Sequence, residues 1–139
     1  MIPIYTTTVE VSGGREGAAR SSDGLLDLPL GLPAELGGPG GKTNPEQLFA
    51  AGYGACFESA VRLVAREAGL EVGDLSIAAT VQLLKAEDSM DFALSVELAG
   101  NSSTLSDSEL AGVLAQAHAI CPYSNATRGN IDVRLTPAV

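Results

Sequence analysis

The chain has 139 residues, 45% of them hydrophobic and 18% charged, with 8 Lys and Arg against 17 Asp and Glu. That length fits one domain, residues 1–139, with a real core, although a domain this size buries only about two-thirds of the surface its unfolded chain exposes. A net charge of -9 repels phosphate backbones and anionic membranes, and no basic cluster offsets it, so neither nucleic acid nor a membrane is expected as a partner.

Met1-Ile2-Pro3-Ile4-Tyr5-Thr6 has neither the basic n-region nor the apolar h-region of a secretory signal, and a cytoplasmic chain is expected. Ile4–Ser12 is rich in Thr, Val and Tyr and reads as a strand that Gly13-Gly14 breaks. A second extended piece, Arg15–Ser22, leads to the turn signal Ser22-Asp23-Gly24, and Leu25–Leu30 reads as a short third strand. Gly31–Lys42 holds five glycines and two prolines and is expected to be loop. Within it, Gly37–Thr43 has the composition of a phosphate loop but lacks the preceding strand of a β-α-β unit.

Asn44-Pro45-Glu46-Gln47 is a helix start, with Asn44 as N-cap, Pro45 at N1 and Gln47 as a capping-box partner. The helix should run to about Ala68 and stop at Gly69. Leu48–Phe57 is apolar nearly all round, which predicts burial on most sides, yet it is far short of a membrane span. Gly52 and Gly54 each cost about 1 kcal/mol against Ala in a helix, so another backbone is expected to pack closely there. Leu75–Leu84 and Phe92–Leu98 read as a hairpin around Ala86-Glu87-Asp88-Ser89. Ser106, with Glu109 at N3, opens a second helix that runs to about Ile120 and stops at Cys121-Pro122, because a residue before proline avoids the helical region. Ile131–Leu135 alternates as a last strand.

Two cysteines, Cys56 and Cys121, carry the chemical interest. Each has a plain reading as a small buried hydrophobe. The other reading is redox: in a reducing compartment a disulfide that forms is usually transient and catalytic. Cys56 sits about three turns into its helix, too far for the macrodipole to ionise it, and burial would raise its pKa. An ordinary thiol with a pKa of about 8.5 is only a few per cent thiolate at pH 7, and reaching about 6 takes about 3.4 kcal/mol of differential stabilisation. A nearby cation is the obvious source. Arg15 stands out because it follows Gly13-Gly14, with Arg20 as a rival; Arg62 and Arg66 should face solvent, and Lys85, Arg128 and Arg134 have no particular link to Cys56. Glu46 suits the first helical turn electrostatically and could also hold an arginine by a bidentate pair. It lies ten residues before Cys56, about 15 Å of helix rise, which one arginine does not comfortably span on a straight helix, so if Arg15, Glu46 and Cys56 meet, the simplest solution is that two chains contribute.

Cys121 and Cys56 are 65 residues apart, and only the fold could bring their Cα atoms into the disulfide range of about 4.4–6.8 Å. No C-x-x-C is present, and with one histidine, His118, a protein-only metal site is not expected. His118 reads as structural.

Several words taken together resemble one family: Gly13-Gly14-Arg15-Glu16-Gly17, Ser21-Ser22-Asp23-Gly24, Thr43 through Tyr53, Ala55-Cys56-Phe57, and Cys121 through Asn130. In this order, along essentially the whole chain, they are similar to the organic hydroperoxide resistance (Ohr) branch of the Ohr/OsmC family. The resemblance implies an α+β, OsmC-like intertwined homodimer, with antiparallel sheets wrapped around central cysteine-bearing helices. It implies that Cys56 is peroxidatic and Cys121 resolving, with Arg15 and Glu46 as the network that activates the thiol. No cofactor is implied; the reductant would be dihydrolipoyl groups on lipoylated proteins rather than thioredoxin. The apolar surface of Leu48, Phe49, Tyr53 and Phe57 would suit the R group of an organic hydroperoxide. The alternatives are the osmotically inducible OsmC branch, which the Arg15 context and the Cys121-Pro122-Tyr123-Ser124 word disfavour, and a non-enzymatic redox sensor or binding protein.

Overall fold

Glycine decides where the strands of the first 48 residues stop, and these residues form one of two compact units in the computed structural model, which describes residues 1–137. Strands β1 (Val9–Ser12), β2 (Ala18–Ser21) and β3 (Asp27–Pro29) make an antiparallel sheet in that order. Its first pair sets Val9 opposite Ser21 and Ser12 opposite Ala18. The expected strand from Ile4 is therefore shorter. Its ladder ends because Gly24, at φ 73°, turns the chain away after Ser21, and the Ser22 N–H to Thr8 carbonyl bond is the last across the pair. Arg15 is not extended either. Gly13 and Gly14, at φ 74° and 56°, lead into a 3-10 turn over Gly14–Glu16. Gly17 closes it so tightly that a Cβ there would stand 1.7 Å from the Ser12 carbonyl oxygen.

Helix α1 (Pro45–Glu67) begins as the sequence predicts, with the Gln47 N–H bonded to Asn44 Oδ1 at 2.9 Å. The Gln47 side chain, however, accepts from Thr43 Oγ1 rather than completing a capping box. The helix ends in a Schellman motif, with Gly69 at φ 70° and the Leu70 N–H bonded to the Ala65 carbonyl.

The second unit starts at Phe49, inside α1. Strands β4 (Ser76–Lys85) and β5 (Phe92–Asn101) pair along their whole length as the expected hairpin. Strand β6 (Val133–Pro137) joins β5 in parallel. The second sheet is thus mixed, a correction to the all-antiparallel expectation; a helical connection between β5 and β6 makes the parallel pairing possible. That connection is α2 (Asp107–Ile120) followed by α3 (Pro122–Thr127). Ser106 and Glu109 form the predicted capping box at the start of α2.

The second unit's core is Tyr53, Phe57, Val61, Val64 and Ala65 of α1, Val96 and Leu98 of β5, and Leu110, Val113, Leu114 and Ala117 of α2. A Cβ on Gly100 would stand 2.9 Å from Leu114 Cδ2, so β5 and α2 approach closely. At Gly52 the close neighbour is the Tyr123 side chain, not a backbone, and at Gly54 it is the Ala79 methyl. Burial of α1 also differs from expectation. One face is buried, while Ala51, Ala55, Ser59 and Leu63 are exposed. The 23-residue helix is long and apolar enough to cross a membrane by length and composition, but it carries the exposed Arg62–Glu58 pair and packs into this core.

Leu114 is almost fully buried over Gly100. Leu114→Ala should cost about 2–5 kcal/mol, read as a lower urea midpoint with an unchanged slope.

Candidate active site

Pro122 sets the local geometry of the second cysteine. It sits at the first position of α3, so the chain cannot continue straight from α2, and Cys121 takes an extended conformation at φ -62°, ψ 125°. Cys121 caps both helices: its N–H bonds the Ala117 carbonyl, and its own carbonyl accepts from the Asn125 N–H. The sequence signalled the stop but not the short helix that follows, because a proline at N1 ends one helix and starts another with the same residue.

Cys121 is fully buried and Cys56 partly so, and both are free thiols. Their sulfurs lie 3.6 Å apart, with Cys121 S–H donating to Cys56 Sγ. A disulfide bond of about 2.05 Å is a small further approach from there. Burial pushes the Cys56 thiol above its ordinary pKa. The Tyr123 backbone N–H opposes this by hydrogen-bonding the thiolate, and neighbouring Cys121 raises the value further, since two close sulfurs resist both ionising.

Around the pair, Tyr53, one turn before Cys56, bonds Ser124 Oγ at 2.9 Å and Thr127 Oγ1 at 3.1 Å through its hydroxyl. His118 Nδ1 meets the same Ser124 Oγ at 2.8 Å. Burial, and then the Arg128 charge, lower the His118 pKa, and Arg128 also donates to the His118 carbonyl. His118 is thus hydrogen-bonded within the fold through Nδ1. Tyr123, Ser124 and Thr127 had no assigned part in the sequence reading; the only signal was their place in the word that starts at Cys121-Pro122.

Of the apolar candidates, Tyr53 and Phe57 are fully buried and belong to the core. Leu48 and Phe49 are half-buried. Phe49 meets Tyr53 edge-on at 5.9 Å between ring centres, and Tyr123 lies 5.6 Å from Tyr53 with its own ring partly exposed.

In the first unit, Arg15 and Glu46 form a two-pronged pair, Nη1 to Oε2 at 2.9 Å and Nη2 to Oε1 at 2.6 Å. The glycine-bounded 3-10 turn presents Arg15, and the first turn of α1 presents Glu46. Arg15's hydrogen bonds hold the Glu46 carboxyl below its ordinary range, and Glu46 in turn raises Arg15. The rival Arg20 is engaged with Asp27 at 3.7 Å, and Arg62 pairs with Glu58 on the exposed side of α1. Among the described residues no group of three or more His, Cys, Asp or Glu side chains could hold a metal ion.

The chain as a whole is similar to known proteins. The family model described as OsmC-like protein matches residues 38–136. The chain belongs to the OsmC-like family, within it to the organic hydroperoxide resistance proteins. Organic hydroperoxide resistance protein OhrA of Bacillus subtilis (strain 168) is 48% identical over 141 residues, covering 98% of this chain and 97% of its own. The organic hydroperoxide resistance protein of Xanthomonas axonopodis pv. citri is 49% identical over 137 residues, covering 97% and 95%. Among solved structures, an organic hydroperoxide resistance protein from Legionella pneumophila superimposes with a TM-score of 0.92 at 48% identity, over 99% of this chain and 100% of that one. A Vibrio cholerae protein described as a putative organic hydroperoxide resistance protein, with captopril bound in one of its active sites, gives a TM-score of 0.89 at 47% identity, covering 97% and 92%.

A depressed Glu46 pKa means the Arg15–Glu46 pair stabilises the fold above the ordinary glutamate pKa and loses that contribution as pH falls through the depressed value. The Arg15 side chain is 41% exposed, so the whole effect should stay within about 1 kcal/mol. Glu46→Gln should therefore be slightly less stable than the parent at pH 7, and the gap should close in acid. A gap that is constant from pH 7 to pH 2 in urea titrations would contradict this.

Proposed function

We propose that the protein is a thiol peroxidase that reduces organic hydroperoxides to alcohols and is re-reduced by dihydrolipoyl groups. The observation that carries the reading is the 3.6 Å separation of two unbonded sulfurs that are 65 residues apart in sequence. The names of relatives that match almost the whole chain supply the substrate class.

In this mechanism the Cys56 thiolate attacks the outer oxygen of ROOH. The O–O bond breaks, the alkoxide takes a proton and leaves as ROH, and Cys56 becomes a sulfenic acid. Cys121 sulfur then attacks the sulfenyl sulfur, forming the Cys56–Cys121 disulfide and releasing water. A dihydrolipoyl dithiol reduces the disulfide by two exchanges and becomes a cyclic disulfide.

As a free thiol above its ordinary pKa, Cys56 needs a cation to ionise. Arg15, held in a fork by Glu46, is the group we assign to that task; it would also bond the peroxide oxygens. Ten residues of helix, about 15 Å of rise, separate Glu46 from Cys56. The Arg15 of one copy therefore serves the Cys56 of another, in a homodimer. The aromatic rings of Phe49 and Tyr123 suit a bulky R group, as do the apolar side chains of Leu48, Tyr53 and Phe57. A cytoplasmic location, where such a disulfide is kept cycling, accompanies this reading, and no cofactor is needed.

Two experiments test it. Purified protein should turn over a bulky organic hydroperoxide with dihydrolipoamide and not with thioredoxin. Absence of turnover with either donor, thiols intact, would refute the enzyme and leave a redox sensor; turnover with thioredoxin alone would remove the lipoyl assignment. Arg15→Ala should raise the Cys56 pKa, measured from the pH dependence of alkylation in a Cys121→Ser background. An unchanged value would show that another group activates the thiol.

A further inference from the structure

Ser124 is fully buried, and its hydroxyl is held from two directions. Tyr53 of α1 meets it at 2.9 Å and His118 of α2 at 2.8 Å. A buried hydroxyl is satisfied by one partner, so a second from a different helix fixes position as well as solvation. The hydrogens can be assigned consistently. With neutral His118, Ser124 donates to Nδ1, Tyr53 donates to Ser124, and Thr127 is free to donate to the Tyr53 oxygen or to the Ser124 carbonyl.

The two residues joined by the 2.9 Å bond stand in matching places. Tyr53 lies three residues before Cys56 on α1, and Ser124 lies three residues after Cys121 on α3. The bond therefore ties the two cysteine-bearing segments together one turn from each sulfur, while His118 ties α3 back to the end of α2.

We propose that Ser124, anchored by Tyr53 and His118, is the positioning residue for closure of the Cys56–Cys121 disulfide. It touches neither peroxide nor reacting sulfur; it holds the Cys121 segment at the distance from which the resolving attack proceeds. Closure is the step in which the Cys121 sulfur bonds the Cys56 sulfenyl sulfur, the S–O bond breaks, and hydroxide leaves as water. When the clamp is loosened, the sulfenic acid lives longer and a second hydroperoxide converts more of it to sulfinic acid. Its catalytic meaning rests on the peroxidase reading, but its geometric content does not.

The test is therefore made first without peroxide. The full chain is equilibrated with mixtures of reduced and oxidised dithiothreitol, and the disulfide fraction is read by alkylation and mass measurement. Ser124→Ala should lower the equilibrium constant for the Cys56–Cys121 disulfide about tenfold, the effect of a lost net hydrogen bond, and Ser124→Thr, which keeps the hydroxyl, should recover it. An unchanged or increased constant in a folded Ser124→Ala chain overturns the proposal. If that chain does not fold, Tyr53→Phe, which keeps the ring and removes the α1 bond, is read in the same way. With an organic hydroperoxide, Ser124→Ala should lose its Cys56 thiol as fast as the parent and close its disulfide more slowly; equal slowing of both steps also overturns it. Should the parent consume no hydroperoxide, the peroxidase reading falls while the exchange constant still decides the role of Ser124.

Discussion

The turn at Cys121-Pro122 is the constraint on which the rest depends. Proline at the start of α3 forbids one continuous helix from Asp107 to Thr127, so the chain bends at a residue whose side chain is a thiol. The bend leaves neither backbone group of Cys121 unpaired, since its N–H and carbonyl are both bonded within the two helices. A sulfur can thus be buried at a helix junction at little cost. The neighbouring residues are used as fully: Ser124 and Thr127 both bond the Tyr53 hydroxyl.

Burial creates an electrostatic conflict that the same residues only partly resolve. The environment that brings the sulfurs to 3.6 Å favours the neutral thiol of Cys56, and one backbone N–H does not reverse that. In the proposed mechanism Arg15 supplies the missing charge. Its pairing with Glu46 limits how it can act, because a guanidinium bonded to a carboxylate is nearly neutral at a distance. Help to a thiolate must then come from direct contact by a spare N–H, and a fork that uses two of the five guanidinium donors leaves three for that purpose.

Local signals made much of the fold legible in the sequence. Asn44 and the Ser106–Glu109 box marked helix starts, and Gly69 a helix end, because capping depends on residues within one turn. The hairpin showed in the alternation of Ile77 to Leu83 against Val96 and Leu98. Strand lengths in the first sheet did not show, because pairing partners, not propensity, decide where Ile4–Ser12 stops being a strand. The parallel β6 was equally hidden. Cys56, Cys121, Arg15 and Glu46 could each be picked out as candidates, and Arg15 and Glu46 form a two-pronged pair. The approach of the two sulfurs spans 65 residues and the Tyr53–Ser124 bond 71, and no local pattern encodes either.

The apolar run Leu48–Phe57 carries the pattern of a helix buried on most sides, yet Ala51, Ala55, Ser59 and Leu63, spaced four apart, are exposed on α1. Val9 and Val11 on β1 are exposed as well. A helix that were simply amphipathic would place charge on that face, as α1 does at Arg62 and Arg66 further along. In the first half of the helix Ala51 and Ala55 are small and uncharged instead, which permits close approach of another surface. Glu46 lies about 15 Å of helix rise before Cys56, and in the proposed mechanism the Arg15 that it anchors serves the Cys56 of another copy. In the proposed dimer a second copy of the chain would cover this face and bring the cation that the proposed mechanism asks for at Cys56.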